Sequence, residues 1–357
     1  MPRLKAAISA PPARNDTTLR LGFIALNDVA PLAVAQELGF FKKYGLRVEL
    51  RRELGWATIR DKIAFGEIEA AHAISSLLIS SRLGLDTAPA DFLTACVLST
   101  GGNAITLSER LWTAGVRDAT TLAQEIINTR HDHQLVLGVA AAHSNHYLHL
   151  CEWLKTGGIN PHRDVRIVVV PPPQVYRNLN AGTIDGYCVG EPWNSLAIQN
   201  DIGWCVATSD QLQPDHAEKV LMVRTEFART RHEEHMLLVA ALVEASRKCD
   251  EPDFRSDMVK LLTRREYLNQ PAKIVGAGLK GPFKLGHGRT VDATDFVRFG
   301  RDDLNNPKVE RADWLVEGFR SNRLLPASSP QTRNLAREVF RPDIFAQALS
   351  RHGLSET

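Results

Sequence analysis

The sequence predicts an α/β protein of two domains, and three observations support this fold class. Its 357 residues exceed the length that one small core needs and suit two domains of ordinary size. Apolar, strand-like runs alternate with helical patterns along the chain, which indicates parallel sheets covered by helices. Hydrophobic residues make up 44% and charged residues 24% of the chain, the balance of a globular protein with a large core.

The first strand–helix units occupy the N-terminal third of the chain. Residues 19–26 (LRLGFIAL) are typical of a buried strand, and Pro31 then begins a helix that runs to about Gly45. Further helices are predicted over roughly Thr58–Phe65 and over 120–128. The other predicted strands of this part cover residues 46–53, 69–74, 91–98 and 103–107. A polar stretch, NTRHDHQ (128–134), then favours a hinge or crossover.

A second series of strands and helices begins after this stretch. Its predicted strands cover residues 135–142, 165–170, 183–190 and 203–208, with helical patterns between them. Residues 219–224 (KVLMVR) lead back toward the first unit, and 235–245 are apolar on nearly all sides, which indicates a buried helix. We therefore expect a flexible tail over 1–18, a discontinuous first lobe of 19–130 plus 225–357, and a second lobe of 135–220.

Charge and cysteine content exclude several classes of protein. The formal net charge is +2, from 43 basic and 41 acidic side chains, whereas a nucleic-acid-binding domain usually carries a much larger basic excess. The five cysteines are scattered and form no CxxC pair, so we expect reduced thiols rather than a disulfide framework or a zinc site. The triplet His131-Asp132-His133 is expected to be a solvated loop. We expect no metal and no cofactor.

The N-terminal residues bear on location. An export signal needs a basic segment followed by an apolar run of roughly 7–15 residues. The longest apolar run within residues 1–20 is Ala6–Ile8, so we expect a cytoplasmic protein, unless a signal peptide lies upstream of residue 1. No segment reaches about 18 uninterrupted apolar residues, so no membrane span is expected.

Three stretches together resemble one known family. They are AQELGFFKKYGLRVEL (35–50), GWATIRDKIAFGEIEAAHAISS (55–76) and the run 153–194, which contains GGINP, VPPPQ and CVGEPWN in that order. The chain is similar, over about residues 19–325, to the nitrate- and bicarbonate-binding proteins of bacterial ABC transporters and to their cytoplasmic relatives that sense nitrate or nitrite. This resemblance implies a two-lobed periplasmic-binding-protein type II fold, with the ligand in the cleft between the lobes.

The resemblance also implies which residues contact the anion. Lys219 matches the lysine that faces the anion in nitrate binders, and bicarbonate binders carry an acidic residue there, so nitrate or nitrite is favoured. His146 matches the family histidine before a second-lobe helix, where a helix N-terminus favours an anion. His143, three residues earlier, is the alternative. We expect Lys219→Glu to abolish nitrate binding without unfolding the protein, because the lysine would supply the main compensating charge.

Three further residues complete the candidate site. Trp56 precedes a helix and offers a flat surface and an N–H donor to a planar anion. Asn103 stands where nitrate binders usually have glutamine, and its amide is one carbon shorter. Gly102, beside Gly101, either lets backbone N–H groups approach the anion or simply forms a strand-connecting turn.

The resemblance and the N-terminus together favour a cytoplasmic nitrate/nitrite sensor. In the sensor family the partner resembles a response-regulator-like RNA-binding antiterminator, which anion-induced lobe closure would release. The alternative is the solute-binding component of a nitrate ABC transporter, and an enzyme is not expected because no catalytic constellation stands out. The C-terminal segment 340–353 carries an apolar helical stripe, which either docks on its own lobe or contributes to a partner surface.

Overall fold

The computed structural model describes residues 18–85, 87–292, 296–325 and 334–355. Of the predicted tail over 1–18, all but Thr18 lies outside the described residues. The strands, in chain order, are β1 (Leu19–Ile24), β2 (Val48–Glu53), β3 (Ala70–Ile74), β4 (Phe92–Gly101), β5 (Asn103–Ser108), β6 (Val136–Val139), β7 (Arg166–Val169), β8 (Gly186–Gly190), β9 (Gly203–Thr208), β10 (Ala217–Arg224), β11 (Phe283–Gly286), β12 (Arg289–Val291) and β13 (Val297–Arg298).

Helices cover the sheets that these strands form. In chain order they are α1 (Ala30–Glu37), α2 (Phe40–Lys43), α3 (Trp56–Ala64), α4 (Ser75–Arg82), α5 (Glu109–Thr113), α6 (Ala119–Thr129), α7 (Asn145–Thr156), α8 (Val175–Asn180), α9 (Trp193–Gln199), α10 (Ser209–Leu212), α11 (Thr225–Thr230), α12 (His232–Asp250), α13 (Arg255–Leu262), α14 (Ala272–Val275), α15 (Glu310–Ser321), α16 (Leu335–Val339) and α17 (Pro342–His352). In the described part of the chain, no helix combines the length and the apolar character that crossing a membrane requires.

Two separate sheets define two lobes, which confirms the predicted α/β fold. The first lobe contains a six-stranded sheet in the order β13-β4-β10-β3-β1-β2. The second lobe contains a five-stranded sheet in the order β7-β6-β8-β5-β9. Each sheet has a parallel part, made by β1, β2 and β3 in one and by β6, β7 and β8 in the other. Strands β5 and β10 add antiparallel pairs.

The chain leaves the first sheet earlier than the sequence predicts. β5 was expected in the first lobe, but it pairs with β8 and β9 in the second sheet. Only Gly102 separates it from β4, and Gly101 and Gly102 both have positive φ, +69° and +82°. Such angles favour glycine, and they allow the chain to change sheets within two residues. The polar stretch 128–134 is instead the end of α6 and the loop before β6.

Part of the C-terminal chain also belongs with the second lobe. The hairpin β11–β12 contributes Phe283 and Leu285 to an apolar cluster with Ala104 of β5 and Cys205 of β9. Helix α15 packs against α7, where the ring of Trp314 stacks on His149 at 4.9 Å between centroids. The expected assignment of all of 225–357 to the first lobe is therefore wrong for the hairpin, whereas α15 also packs against α4 of the first lobe and so bridges the two lobes.

The structure also tests the three remaining helix predictions. The helix predicted from Pro31 to Gly45 is divided into α1 and α2, because Gly39 between them has φ +77° and interrupts the helical path. The buried helix predicted at 235–245 is confirmed as the centre of α12. The apolar stripe of α17 lies in the same core cluster as α12, so the C-terminal segment docks on its own lobe.

Candidate functional site

The lobes are closed on each other along a line of direct hydrogen bonds. Trp193 of α9 donates its indole N–H to the carbonyl of Ala25 after β1, and Asn27 donates its backbone N–H to the carbonyl of Glu191. At the start of α7, the side-chain amide of Asn145 donates to the carbonyl of Ala217 in β10. The groups that meet at this closed cleft are therefore removed from bulk water.

Lys219 lies at the first-lobe side of the cleft, near the start of β10. Its side chain is fully buried, and its Nζ lies 2.8 Å from Oδ2 of Asp28 and 2.5 Å from Oε1 of Glu218. Burial alone would lower the pKa of Lys219, but the two carboxylates outweigh burial and raise it. The ammonium is therefore charged inside the cleft.

Two ionised carboxylates surround this one ammonium. Burial alone would raise the pKa of Asp28, but Lys219 and His72, whose Nε2 is 2.8 Å from Asp28 Oδ1, outweigh it and lower the pKa. The pKa of Glu218 is likewise lowered well below its usual value against burial, chiefly by Lys219. Lys219 thus brings no surplus of positive charge. The expectation that Lys219→Glu would leave the fold intact is corrected, since it would bury a third carboxylate beside these two.

His146 lies on the second-lobe side, on the first turn of α7. Its side chain is fully buried, its Nε2 is 3.7 Å from Glu218 Oε1, and burial lowers its pKa to about 4, so the ring is neutral. Within the described residues neither ring nitrogen has a hydrogen-bond partner. His143 is only half-buried and lines, together with Trp56, a cavity of about 400 Å³ between residues of the two lobes, whereas His146 is the fully buried histidine beside Glu218 and Lys219.

The N-terminus of α7 is less open to an anion than the sequence suggests. Ser144 caps the helix, and its Oγ accepts from the N–H of Tyr147 at 3.1 Å. The N–H of Asn145 donates to Oγ of Ser76 in the first lobe. Two of the N–H groups that a helix start leaves unpaired are therefore already used.

Trp56 begins α3 and lies against the same ammonium. Its ring centroid is 5.6 Å from Lys219 Nζ, a cation–π distance, and 6.0 Å from the ring of His72. The indole is only 1% exposed, and its Nε1 has no hydrogen-bond partner among the described residues. Trp56 therefore offers a ring face and one unused donor to the cleft.

Asn103 and Gly102 behave differently although they are neighbours. Asn103 begins β5 opposite Gly190 and is fully buried, and both atoms of its amide lack a partner within the described part of the chain. A Cβ at Gly190 would come within 3.2 Å of Asn103 Oδ1, so only glycine leaves that space open. Gly102 donates its N–H to the carbonyl of Phe296 at 2.6 Å. Its N–H is not available to an anion, and Gly102 is the strand-connecting turn.

Sequence reasoning missed the acidic side of this site. Asp28 and Glu218, which hold the lysine, and His72, which holds Asp28, were not singled out. A signal existed for the carboxylates: Asp28 is the second residue after the apolar run 19–26, and Glu218 stands next to Lys219 at the start of a predicted strand. Charged residues at the ends of buried strands cost free energy of folding unless they have partners, so such a residue indicates a partner of opposite charge nearby.

The triplet His131-Asp132-His133, predicted to be a solvated loop, contributes one ion pair. His133 is 43% exposed and bonds Asp185 through its Nε2 at 2.8 Å. The five cysteines are all free and buried, as expected for reduced thiols that pack as small apolar residues.

Fold and site together define a two-lobed binding protein of the periplasmic-binding-protein type. The crystal structure of the periplasmic nitrate-binding protein NrtA from Synechocystis PCC 6803 superposes with a TM-score of 0.89, at 28% sequence identity, over 94% of this chain and 89% of that chain. An alkanesulfonate-binding protein from Xanthomonas axonopodis is 14% identical with a TM-score of 0.65, which shows the fold alone.

Residues 12–263 match the NMT1-like family, and the chain belongs to this family. It is 31% identical over 340 residues to the nitrate/nitrite binding protein NrtA of Synechococcus elongatus, covering 92% of this chain and 76% of that protein. It is also 34% identical over 333 residues to the nitrate import ATP-binding protein NrtC of Synechocystis, of which it spans about half, 49%. The chain is thus a homologue of substrate-binding proteins and not an enzyme.

Proposed function

We propose that this protein binds nitrate or nitrite reversibly in the closed cleft between its lobes. The observation that carries the proposal is a set of buried polar groups without partners in the described residues: the indole N–H of Trp56 and the ring of His146, both near the charged Lys219, and the amide of Asn103 at the start of β5. An unpaired buried polar group costs about 1–3 kcal/mol, so a small polar ligand that accepts from several of them would recover that cost. Homology to NrtA proteins supports an anion as that ligand.

A planar anion fits the chemistry of these groups. Nitrate is flat and weakly accepting, so it needs several donors and a dry site rather than one strong contact. The ring face of Trp56 suits a flat ion, and the ammonium of Lys219, which Asp28 and Glu218 hold in place, lies 5.6 Å from that ring. Lysine at this position, where bicarbonate binders carry an acid, favours nitrate or nitrite over bicarbonate.

Isothermal titration of the purified chain with nitrate, nitrite, bicarbonate and chloride tests this proposal. We expect one site that takes nitrate or nitrite at least about tenfold more tightly than the other two anions, a difference of about 1.4 kcal/mol. Binding of bicarbonate alone, or no heat with any of the four, would contradict the proposal.

We further propose that the bound anion is delivered to an ABC transporter, as the solute-binding component. The support is family membership together with similarity to NrtA over most of both chains. In that role closure of the lobes, already present here, is the state a permease would recognise.

A second candidate is a cytoplasmic nitrate/nitrite sensor that controls an RNA-binding antiterminator. The chain matches half of NrtC, a protein named for nitrate import and ATP binding, so its homologues are not confined to free-standing binding proteins. The partner would prefer the open, anion-free form. By linkage, the anion and the partner would then weaken each other's binding by the same free energy, about 1–3 kcal/mol.

Affinity capture separates the two candidates. The tagged protein is isolated from cells grown without nitrate, and nitrate or nitrite is then added to the immobilised complex. Release of a small regulatory protein by the anion, with the tagged chain in the cytoplasmic fraction, supports the sensor. Recovery of a membrane permease, or an export-dependent location, supports the transport component.

A further inference from the structure

A second polar cluster lies directly behind the candidate anion site and contains the side chains of His149, His216 and Glu218. Their nearest ligand-type atoms all lie within 4.8 Å of one another, and all three side chains are buried. His149 comes from α7 of the second lobe, whereas Glu218 is in β10 of the first lobe. The cluster therefore spans the closed cleft.

The hydrogen bonds around the cluster fix which nitrogen of His216 faces the other two side chains. Nδ1 of His216 lies 2.8 Å from the carbonyl of Gln213, so this nitrogen carries the proton and donates. Nε2 of His216 then faces Oε2 of Glu218 at 3.1 Å and Nε2 of His149 at 3.2 Å. A single proton on His216 Nε2 could bond to both of these atoms only as a shared hydrogen bond. A metal ion, by contrast, accepts a lone pair from each of its ligands.

The distances and donor types match a divalent metal. Zinc bonds imidazole nitrogen and carboxylate oxygen at about 2.0–2.1 Å, so neighbouring ligand atoms of a tetrahedral site are about 3.4 Å apart. The bond from His216 Nδ1 to a backbone carbonyl is the outer support that metal-binding histidines commonly have. Asn145 Nδ2 donates to Glu218 Oε2 at 2.8 Å and holds that carboxylate in place.

The charge of the neighbourhood points the same way. The carboxylates of Asp28 and Glu218 both lie against one ammonium, that of Lys219, at 2.8 Å and 2.5 Å. A divalent cation would compensate the excess carboxylate without a long-range partner.

We propose that His149, His216 and Glu218 form a zinc site that joins the second-lobe helix α7 to the first-lobe strand β10. Because all three side chains are fully buried, the ion enters while the lobes are apart and then holds them together. No open surface leads a substrate to it, so the role is structural rather than catalytic. Unlike the anion proposal, it stands on these three side chains alone.

Zinc titration of the full chain, dialysed first against a chelator, tests the site without any variant. We expect one equivalent of zinc per chain, and a zinc X-ray absorption spectrum with scattering from two imidazoles. Less than stoichiometric zinc, or a spectrum without imidazole, would overturn the proposal. His149→Gln and His216→Gln, checked for folding by circular dichroism, should weaken zinc binding by more than about 100-fold, since loss of an outer-shell partner alone costs 10–100-fold.

The matched control is His146→Gln, one turn earlier on the same helix and also near Glu218 but outside the ligand set. It should retain zinc within a few-fold of the wild-type affinity. Equal loss in His146→Gln and His149→Gln would overturn the assignment of ligands, as would unchanged binding in His149→Gln.

Discussion

His146 in the cleft and His235 in the first-lobe core are alike as isolated residues and different in their surroundings. Both are fully buried, and in the described chain neither ring has a hydrogen-bond partner. Burial lowers the pKa of His146 to about 4 and that of His235 to about 3. Around His235 the core of α12 is apolar, with the ring of Phe227 at 6.1 Å, whereas His146 faces Glu218 and Lys219.

This difference shows when a buried polar group marks a site. A single unused donor in an apolar core is a cost to folding that the surrounding burial offsets. Several unused donors from different elements, aimed at one place beside fixed charges, are instead arranged for a ligand. Variants at Lys219, His146, His235 and Trp56, in order of decreasing expected effect, test this difference between a ligand site and an apolar core.

Lys219→Met should have the largest effect. It leaves Asp28 and Glu218 buried without their ammonium, which costs about 3–5 kcal/mol in the free energy of unfolding, and it should also abolish anion binding. Urea unfolding and nitrate titration measure the two effects. The control is Lys62→Met, which removes a partly exposed pair with Glu53 and should cost no more than about 1 kcal/mol. Equal costs for both variants would contradict the buried cluster.

His146→Gln should weaken nitrate binding by about tenfold, since it removes one donor and leaves the lysine. Its free energy of unfolding should change little. His143→Gln is the control, three residues away and only half-buried, and it should bind nitrate as the wild type does. If only the His143 variant lost affinity, the histidine assignment would be wrong by three residues.

The effect of His235 should appear in the pH dependence of stability and not in nitrate affinity. Its pKa is about 3 in the folded protein against an ordinary value of 6.5, so between these values the unfolded chain binds a proton that the folded chain refuses. Stability due to a neutral His235 is therefore present above about pH 6.5 and lost as pH falls. From pH 6 to pH 5 the wild type should lose about 1 kcal/mol more than His235→Leu, measured by urea unfolding. Parallel pH profiles would show that His235 is not titrating as a buried core residue.

Trp56→Phe should have the smallest effect of the four. It keeps an aromatic face beside Lys219 and removes only the indole N–H, so nitrate affinity should fall two- to fourfold, by about 0.4–0.8 kcal/mol. Trp112→Phe is the matched control, because Trp112 stacks on His287 in the second lobe, outside the cleft. A loss as large as that of the lysine variant would mean that the indole, not the ammonium, dominates the site.

Much of the fold could be predicted because buried parallel strands are written as continuous apolar runs. Strands such as 69–74 and the buried helix at 235–245 follow directly from that pattern. The passage of the chain from the first sheet to the second could not be predicted, because a two-glycine turn at Gly101–Gly102 has the same sequence signature as any strand connection. Only the pairing partners of β5 reveal that the chain has changed sheets there.

Lys219, Trp56 and His146 were predicted through family motifs, and the folded chain brings them together around the cleft. Glu218 was missed although it is next to the lysine, because its role depends on burial that only the fold reveals, and Asp28 was missed because it is far from Lys219 in the chain. The same is true of His149 and His216, which are 67 positions apart and meet only when the lobes close. No local spacing encodes such a pair, and a search for metal motifs in the sequence passes over it.

The sealed cleft also has a kinetic consequence. Trp56, Asn103, His146 and Lys219 expose 1% of their surface or less, so an anion that contacts them is enclosed while the lobes stay together. The residence time of an occupant is then bounded by how often the contact between Trp193 and Ala25 and its neighbours give way, whatever the strength of the ionic contacts inside. Capture, by the same reasoning, proceeds only through the fraction of molecules that is open at a given instant. Association and release are thus both timed by a motion of the whole molecule.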